Sequence, residues 1–199
     1  MIQNTYDPQK TGIVLKLFFV LLVLCEPAYA LDLRTILENS AVTAPSRVDF
    51  REERHNPMLK EPIVLTGYLE YLRPGHLRKV IETPVKETFL VTDDYIEIDR
   101  DGKTRRLPLS KSKPIRAMLG GIEAILAGQP DKLESMFHIE LSGSSCSWEL
   151  MLEPRSKRVA SHLTHLLVKG DDETLLSIRT DMKNSEWSLM EILPTAVEP

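Results

Sequence analysis

Cysteine is nearly absent: Cys25 and Cys146 are the two in 199 residues. Residues 1–30 read as a leader to be removed, so Cys146 would stand alone and no intramolecular disulfide could form. The remaining length fits one domain with a core large enough to fold without such a staple. Aromatic residues make up only 6% of the chain, so any apolar interior is mainly aliphatic. The formal net charge of −4 lacks the cationic excess that nucleic acid demands. Removing the leader takes Lys10 and Lys16 with Asp7 and Glu26, and leaves that balance unchanged. No glycine-rich phosphate loop and no dinucleotide fingerprint occurs. Ser142-Gly143-Ser144-Ser145 lacks the Gly-x-Ser-x-Gly elbow and reads as a hairpin loop. His162 and His165 lie three apart, on opposite faces of an expected strand, where they cannot share a metal. Cofactor, metal and catalytic sites are therefore not expected, and an esterase would need a nucleophile beside a base that the sequence does not display.

Long hydrophobic runs are also scarce. Residues 17–24 form one, behind Lys10 and Lys16 and ahead of Ala28-Tyr29-Ala30. It is shorter than the roughly 20 residues a bilayer span needs. That pattern is a secretory signal with Leu31 as the first mature residue. An uncleaved membrane anchor and lipidation at Cys25 are the alternatives, the latter opposed by bulky Leu24 where a lipobox places a small residue.

What the chain does have is alternation. Residues 61–83 read as two strands around an Arg73-Pro74-Gly75 turn. Ile63, Leu65, Gly67, Leu69 and Tyr71 share one face, and Val64, Thr66, Tyr68, Glu70 and Leu72 the other. Both faces carry apolar residues, which points to a curved sheet whose inner surface binds something. Residues 48–54, 87–92, 95–99 and 103–109 alternate as well, with Asp101-Gly102 marking a hairpin turn. The first half is therefore an antiparallel meander.

Two helical patterns interrupt it. Residues 32–42 form a first helix capped by Asp32, with Leu33, Ile36 and Leu37 on one face. Residues 113–128 form a second, with Pro114 in its first turn and Gly128 at its end. Its stripe comprises Ile115, Met118, Leu119, Ile122, Ile125 and Leu126. Gly120-Gly121 in its middle marks a close packing contact, a kink, or a mobile segment. A short helical turn begins at Pro130. Strands then resume at 137–141, 147–152, 162–169, 175–181 and 187–192. The cations Arg100, Lys103, Arg105 and Arg106 make a basic hairpin, read as a solvated edge strand or as a surface for an anionic membrane or partner. Helices laid on such a sheet either fill it completely, giving a static interaction module, or leave an apolar cavity suited to an acyl chain.

The ordered landmarks Val48-Asp49-Phe50-Arg51-Glu52, Gly67-Tyr68-Leu69, Arg73-Pro74-Gly75-His76-Leu77-Arg78, Asp99-Arg100-Asp101-Gly102-Lys103 and Trp148-Glu149-Leu150-Met151-Leu152-Glu153-Pro154 resemble the LolA-like periplasmic carriers of outer-membrane lipoproteins, in a divergent branch. The resemblance runs over residues 31–193. It implies an α+β, mainly antiparallel fold: an incomplete β-barrel with a helical lid over an apolar cavity. It implies a non-catalytic, monomeric periplasmic carrier of acyl chains, loaded by an inner-membrane release complex and unloaded to an outer-membrane acceptor. Arg73 matches the arginine that holds the lid helices in that family. Leu65, Leu69, Tyr71, Met118, Leu119, Ile122 and Leu126 are the cavity candidates. Lys79-Val80 departs from the pattern, because the family favours an aromatic residue there, and the cargo could equally be a non-protein lipid or a polyene.

Overall fold

The computed structural model describes residues 31–193. The expected leader, Cys25 and the tail after Leu193 lie outside these residues. Helix α1 (Leu33–Asn39) precedes strands β1 (Ser46–His55), β2 (Ile63–Arg73), β3 (His76–Thr83), β4 (Glu87–Val91), β5 (Tyr95–Arg100) and β6 (Lys103–Pro108). A 3₁₀ turn (Leu109–Lys111), α2 (Lys113–Leu126) and α3 (Pro130–Met136) follow. Strands β7 (Phe137–Ser144) and β8 (Ser147–Pro154), helix α4 (Lys157–Ala160), and strands β9 (Leu163–Asp171), β10 (Thr174–Met182) and β11 (Trp187–Leu193) complete the described chain.

All eleven strands form one antiparallel sheet in the order β6-β5-β4-β3-β2-β1-β11-β10-β9-β8-β7. Two meanders are joined where the first strand pairs with the last, with Glu52 opposite Met190 and Phe50 opposite Ile192. The outer edges, β6 and β7, are consecutive in sequence. The chain must therefore cross from one edge to the other, and the helical insertion makes that crossing. A strongly twisted sheet of this size curls, and bulges sharpen the bend. The β2–β3 ladder shifts register at Thr66/Gly67 and again at Tyr71/Arg73. At the first shift a Cβ on Gly67 would lie 1.9 Å from the Val80 carbonyl oxygen, so the backbones approach as only glycine permits.

Local chemistry explains most elements. The Asp32 carboxylate accepts the Thr35 N–H at 2.9 Å, as expected of the α1 cap, and that bond holds its pKa below the usual aspartate value. Helix α1 stops at Asn39, short of the expected 42, because the Val42 N–H bonds the Leu126 carbonyl of α2 at 2.8 Å. Asp101 and Gly102 take φ of 54° and 73°, the left-handed pair of a two-residue hairpin turn. Helix α2 runs without interruption through Gly120-Gly121. A Cβ on Gly121 would lie 2.9 Å from the Phe137 ring, so the pair is a close packing contact. The four-residue α4 was not expected, because one turn carries no period to read. His162 falls before β9 rather than on it.

The main core lies beneath the helices. Ile36, Leu37, Ala124, Ile125, Leu133 and Val159 bury against the strands β7–β10, chiefly Trp148, Leu150, Leu152, Leu166 and Val168. This half of the sheet is filled.

Candidate apolar wall of the open sheet

The ladder registers define the inner face. One row crosses the sheet as Leu150, Val168, Ile178, Met190, Glu52 and Leu65. The first three belong to the helix-covered core. The row then enters a separate cluster on the other half: Phe50, Leu65 and Ile81, with Leu69, Phe89 and Met190 packed against them. Farther out, the same face presents Leu77, Val91, Ile96, Ile98 and Leu107, all half-buried. A wall of partly covered aliphatic side chains on the inner side of β1–β6 therefore adjoins a filled half.

The predicted cavity residues divide between these halves. Leu65 is buried in the wall and Leu69 packs on it. Tyr71 is buried at the end of β2. Burial, and secondarily the Glu123 charge, push its phenol above its ordinary pKa. Glu123 lies on α2, so this flank of the helix faces the end of β2. Leu119, Ile122 and Leu126 follow at helical spacing on the adjoining stripe, half-buried. Met118 and Ile122 also pack against the main core. Arg73 is exposed, and its guanidinium meets His76 Nε2 at 2.7 Å. The arginine bound to helix-end carbonyls is Arg155, whose Nε donates to the carbonyls of Glu134 and Phe137 at 2.6 and 2.9 Å. Arg155 thereby ties the end of α3 to the end of β8. Sequence reasoning passed over it because carbonyl acceptors leave no side-chain signature.

It also passed over a charged group set into the wall. Glu52, only 3% exposed, is held by Arg54 through Nε at 3.0 Å and Nη2 at 3.2 Å. Lys79 Nζ donates to Glu52 Oε2, the oxygen that also accepts from Arg54 Nη2, and sits 4.6 Å over the Phe50 ring. Lys79 occupies the position where an aromatic was expected by resemblance. Its burial lowers its pKa from 10.5 to about 8, against the pull of Glu52 and with a push from Arg54. The signal available in sequence was the inward alternation Val48, Phe50, Glu52, Arg54, which places a carboxylate at an apolar position.

A pH dependence follows. Between pH about 8 and 10.5 the unfolded chain keeps the Lys79 proton and the folded one releases it. Stability from this group therefore rises with pH across that window. Urea unfolding of Lys79→Met against wild type is expected to show the variant lacking this rise, and parallel curves would contradict it.

A cavity of about 340 Å³ opens beside Arg54, between Leu59, Ile63, Met182 and the stacked His55–Trp187 pair. It lies at the Arg54 end of the inner face. Among the described residues no group of three or more His, Cys, Asp and Glu is placed to hold a metal. Ser161 Oγ and His162 Nδ1 lie 2.9 Å apart on an exposed turn, and both also face the Arg158 carbonyl. Among the described residues no helix is long and apolar enough to cross a membrane.

A family model described as outer membrane lipoprotein carrier protein LolA-like matches residues 25–194. No curated protein matches the chain at a significant level. Among solved structures, a LolA superfamily protein from Nitrosomonas europaea is 11% identical with a TM-score of 0.42, covering 83% of this chain and 93% of that one. A DUF1329 family protein from Desulfovibrio piger is 9% identical with a TM-score of 0.48, covering 84% and 92%. MucB in the Pseudomonas aeruginosa MucA/MucB complex is similar at 16% identity and a TM-score of 0.42, covering 80% of this chain and 53% of that one. With an open eleven-stranded antiparallel sheet, helices crossing between its edges, and a family match over most of its length, the chain belongs to the outer membrane lipoprotein carrier LolA-like family.

Proposed function

We propose that the protein is a non-catalytic periplasmic carrier that takes acyl chains of lipoproteins, or of a related lipid, onto the inner wall of β1–β6 and delivers them towards the outer membrane. One observation carries this reading. The helices fill the β7–β10 half, and a second apolar cluster stands on the other half, with Phe50, Leu65 and Ile81 buried at its centre and Leu69, Phe89 and Met190 half-buried around them. Burying each methylene of an acyl chain there is worth about 0.8 kcal/mol, enough in sum to draw a chain from a membrane. The cargo chain lies along Leu65, Leu69 and Tyr71, facing the Leu119–Leu126 flank of α2, and Met118 and Ile122 join that flank to the core. The exposure of the wall keeps binding moderate, so that cargo passes on to a tighter acceptor. Arg155 fixes the base of the helical cover, and Arg73 is the arginine assigned to hold the closed lid. An inner-membrane release complex supplies the cargo and an outer-membrane acceptor receives it.

The test is binding of an acyl-chain fluorophore to the purified protein. Leu69→Glu, which places a charge in the wall at a half-buried site, is expected to weaken binding at least about tenfold with the fold intact by circular dichroism. An intact fold that binds no fluorophore before mutation would remove the carrier reading and leave a filled interaction module.

A further inference from the structure

Charge is segregated between the two faces of β1–β6, and from this we infer that the acyl cargo carries an anionic head group. The inference rests on the carrier reading and narrows its substrate class. At positions in regular ladder register, the inner face holds five cations and two carboxylates. Arg54 and Lys79 share Glu52. Arg100 meets Glu87 at 3.0 Å. Lys103 faces Arg100, Arg105 faces Ile98, and neither has a carboxylate partner among the described residues. The inner wall is thus net positive in a chain whose formal charge is −4. Glu123, the carboxylate that α2 turns towards this side, is taken by Lys132 at 3.1 Å.

The outer face of the same strands is matched differently. Arg51 pairs with Glu53, Arg78 with Glu70 and Arg106 with Glu97. Arg47, over the Tyr68 ring, and the carboxylates Asp49, Glu82 and Asp99 stand outside these pairs, so this face carries more carboxylates than cations. The surplus of cations is therefore a property of the inner face alone.

Its position is informative. The strip Leu69, Lys79, Phe89, Ile98 runs outward to the β6 edge, apolar apart from Lys79, whose ammonium is taken by Glu52; Arg105 ends it, with Lys103 two residues away on the same face of β6. A chain lying on that strip presents its head at those two side chains. They are exposed, so a carboxylate or phosphate there keeps part of its hydration while gaining the charge contact. Inward charges on an edge strand also block edge-to-edge pairing, but either sign would serve that purpose. A surplus of one sign beside an apolar strip selects an anionic amphiphile over a neutral one.

The test is fluorescence binding of cis-parinaric acid, with its carboxylate ionised, and of its methyl ester to the full chain. At low ionic strength the acid is expected to bind about fivefold more tightly than the ester, a gap that closes at about 0.5 M salt. Lys103→Glu with Arg105→Glu is expected to abolish or invert the preference. Arg106→Glu, a single charge reversal on the outer face of the same strand, is expected to preserve it. Equal affinities in the wild-type protein would overturn the anionic head while leaving the carrier reading intact. A preference that survives the double reversal would reduce Lys103 and Arg105 to edge guards. Binding of neither probe would overturn both readings.

Discussion

Glu52→Ala is expected to destabilise the protein by about 3 to 5 kcal/mol, lowering the melting temperature by roughly 10 °C. The carboxylate is almost fully buried and holds two cations. Arg54 is 42% exposed and can turn to water, but Lys79 is 17% exposed and lies over Phe50 with no other carboxylate partner among the described residues. Removing Glu52 therefore strands the lysine. Its cheapest response is to lose its proton, which for an ordinary lysine at pH 7 costs about 5 kcal/mol and sets a ceiling on the effect. The cost should shrink as pH rises, because deprotonation becomes easier. Glu52→Leu combined with Lys79→Met removes both charges from an apolar wall, and should return stability to within about 1 kcal/mol of wild type. Chemical denaturation of the three proteins at two pH values decides the matter. Glu52→Ala within about 1 kcal/mol of wild type would show that Glu52 and Lys79 do not form a buried linkage.

Gly67→Ala is expected to cost about 3 kcal/mol, since overpacking against backbone cannot be relieved by a rotamer change. The added methyl would meet the Val80 carbonyl oxygen at 1.9 Å and the Ile81 Cα at 3.1 Å. Strands β2 and β3 would have to part at the bulge that helps bend the wall. Gly102→Ala is the matched control. Nothing lies within 4 Å of its added Cβ, so only its positive φ is strained, at about 1 kcal/mol. Gly67→Ala should also weaken acyl-chain binding at temperatures where it remains folded, because a flatter wall holds a chain less well. Equal unfolding midpoints for the two alanine variants would show that the β2–β3 bulge yields freely and that its curvature is not specified at Gly67.

The strand pair at 63–83, the Asp101-Gly102 hairpin and the Pro114-bounded helix were legible because their signals are local. Alternation, a left-handed turn pair and a helix-initiating proline each occupy a few neighbouring residues. The curved antiparallel fold followed from these in order. The buried linkage was not legible, because Glu52 and Lys79 meet only through the registers of β1 with β2 and β2 with β3. Glu52 looked like one of several charges in Arg51-Glu52-Glu53-Arg54, and only the parity of Phe50 distinguishes it. Which half of the sheet the helices cover depends on β1 pairing with β11, a contact across nearly the whole domain. The stripe of α2 could be read, but which of its members the main core buries fully, Ile125, and which it leaves half-buried, Leu119 and Leu126, could not. Arg73 drew attention through the family resemblance, as an arginine that holds the lid helices; in the structure it meets His76, and Arg155 makes bonds to helix-end carbonyls.

The central claim is that the inner wall of β1–β6, and not the packed helix–sheet core, receives an acyl chain. Photo-crosslinking with a diazirine-bearing fatty acid, followed by peptide mapping, tests it directly. Labels are expected at Leu69, Leu77, Phe89 and Ile98, with competition by unlabelled fatty acid. Labelling confined to the core strands around Leu150, Leu166 and Val168, or labelling that unlabelled fatty acid does not displace, would contradict it.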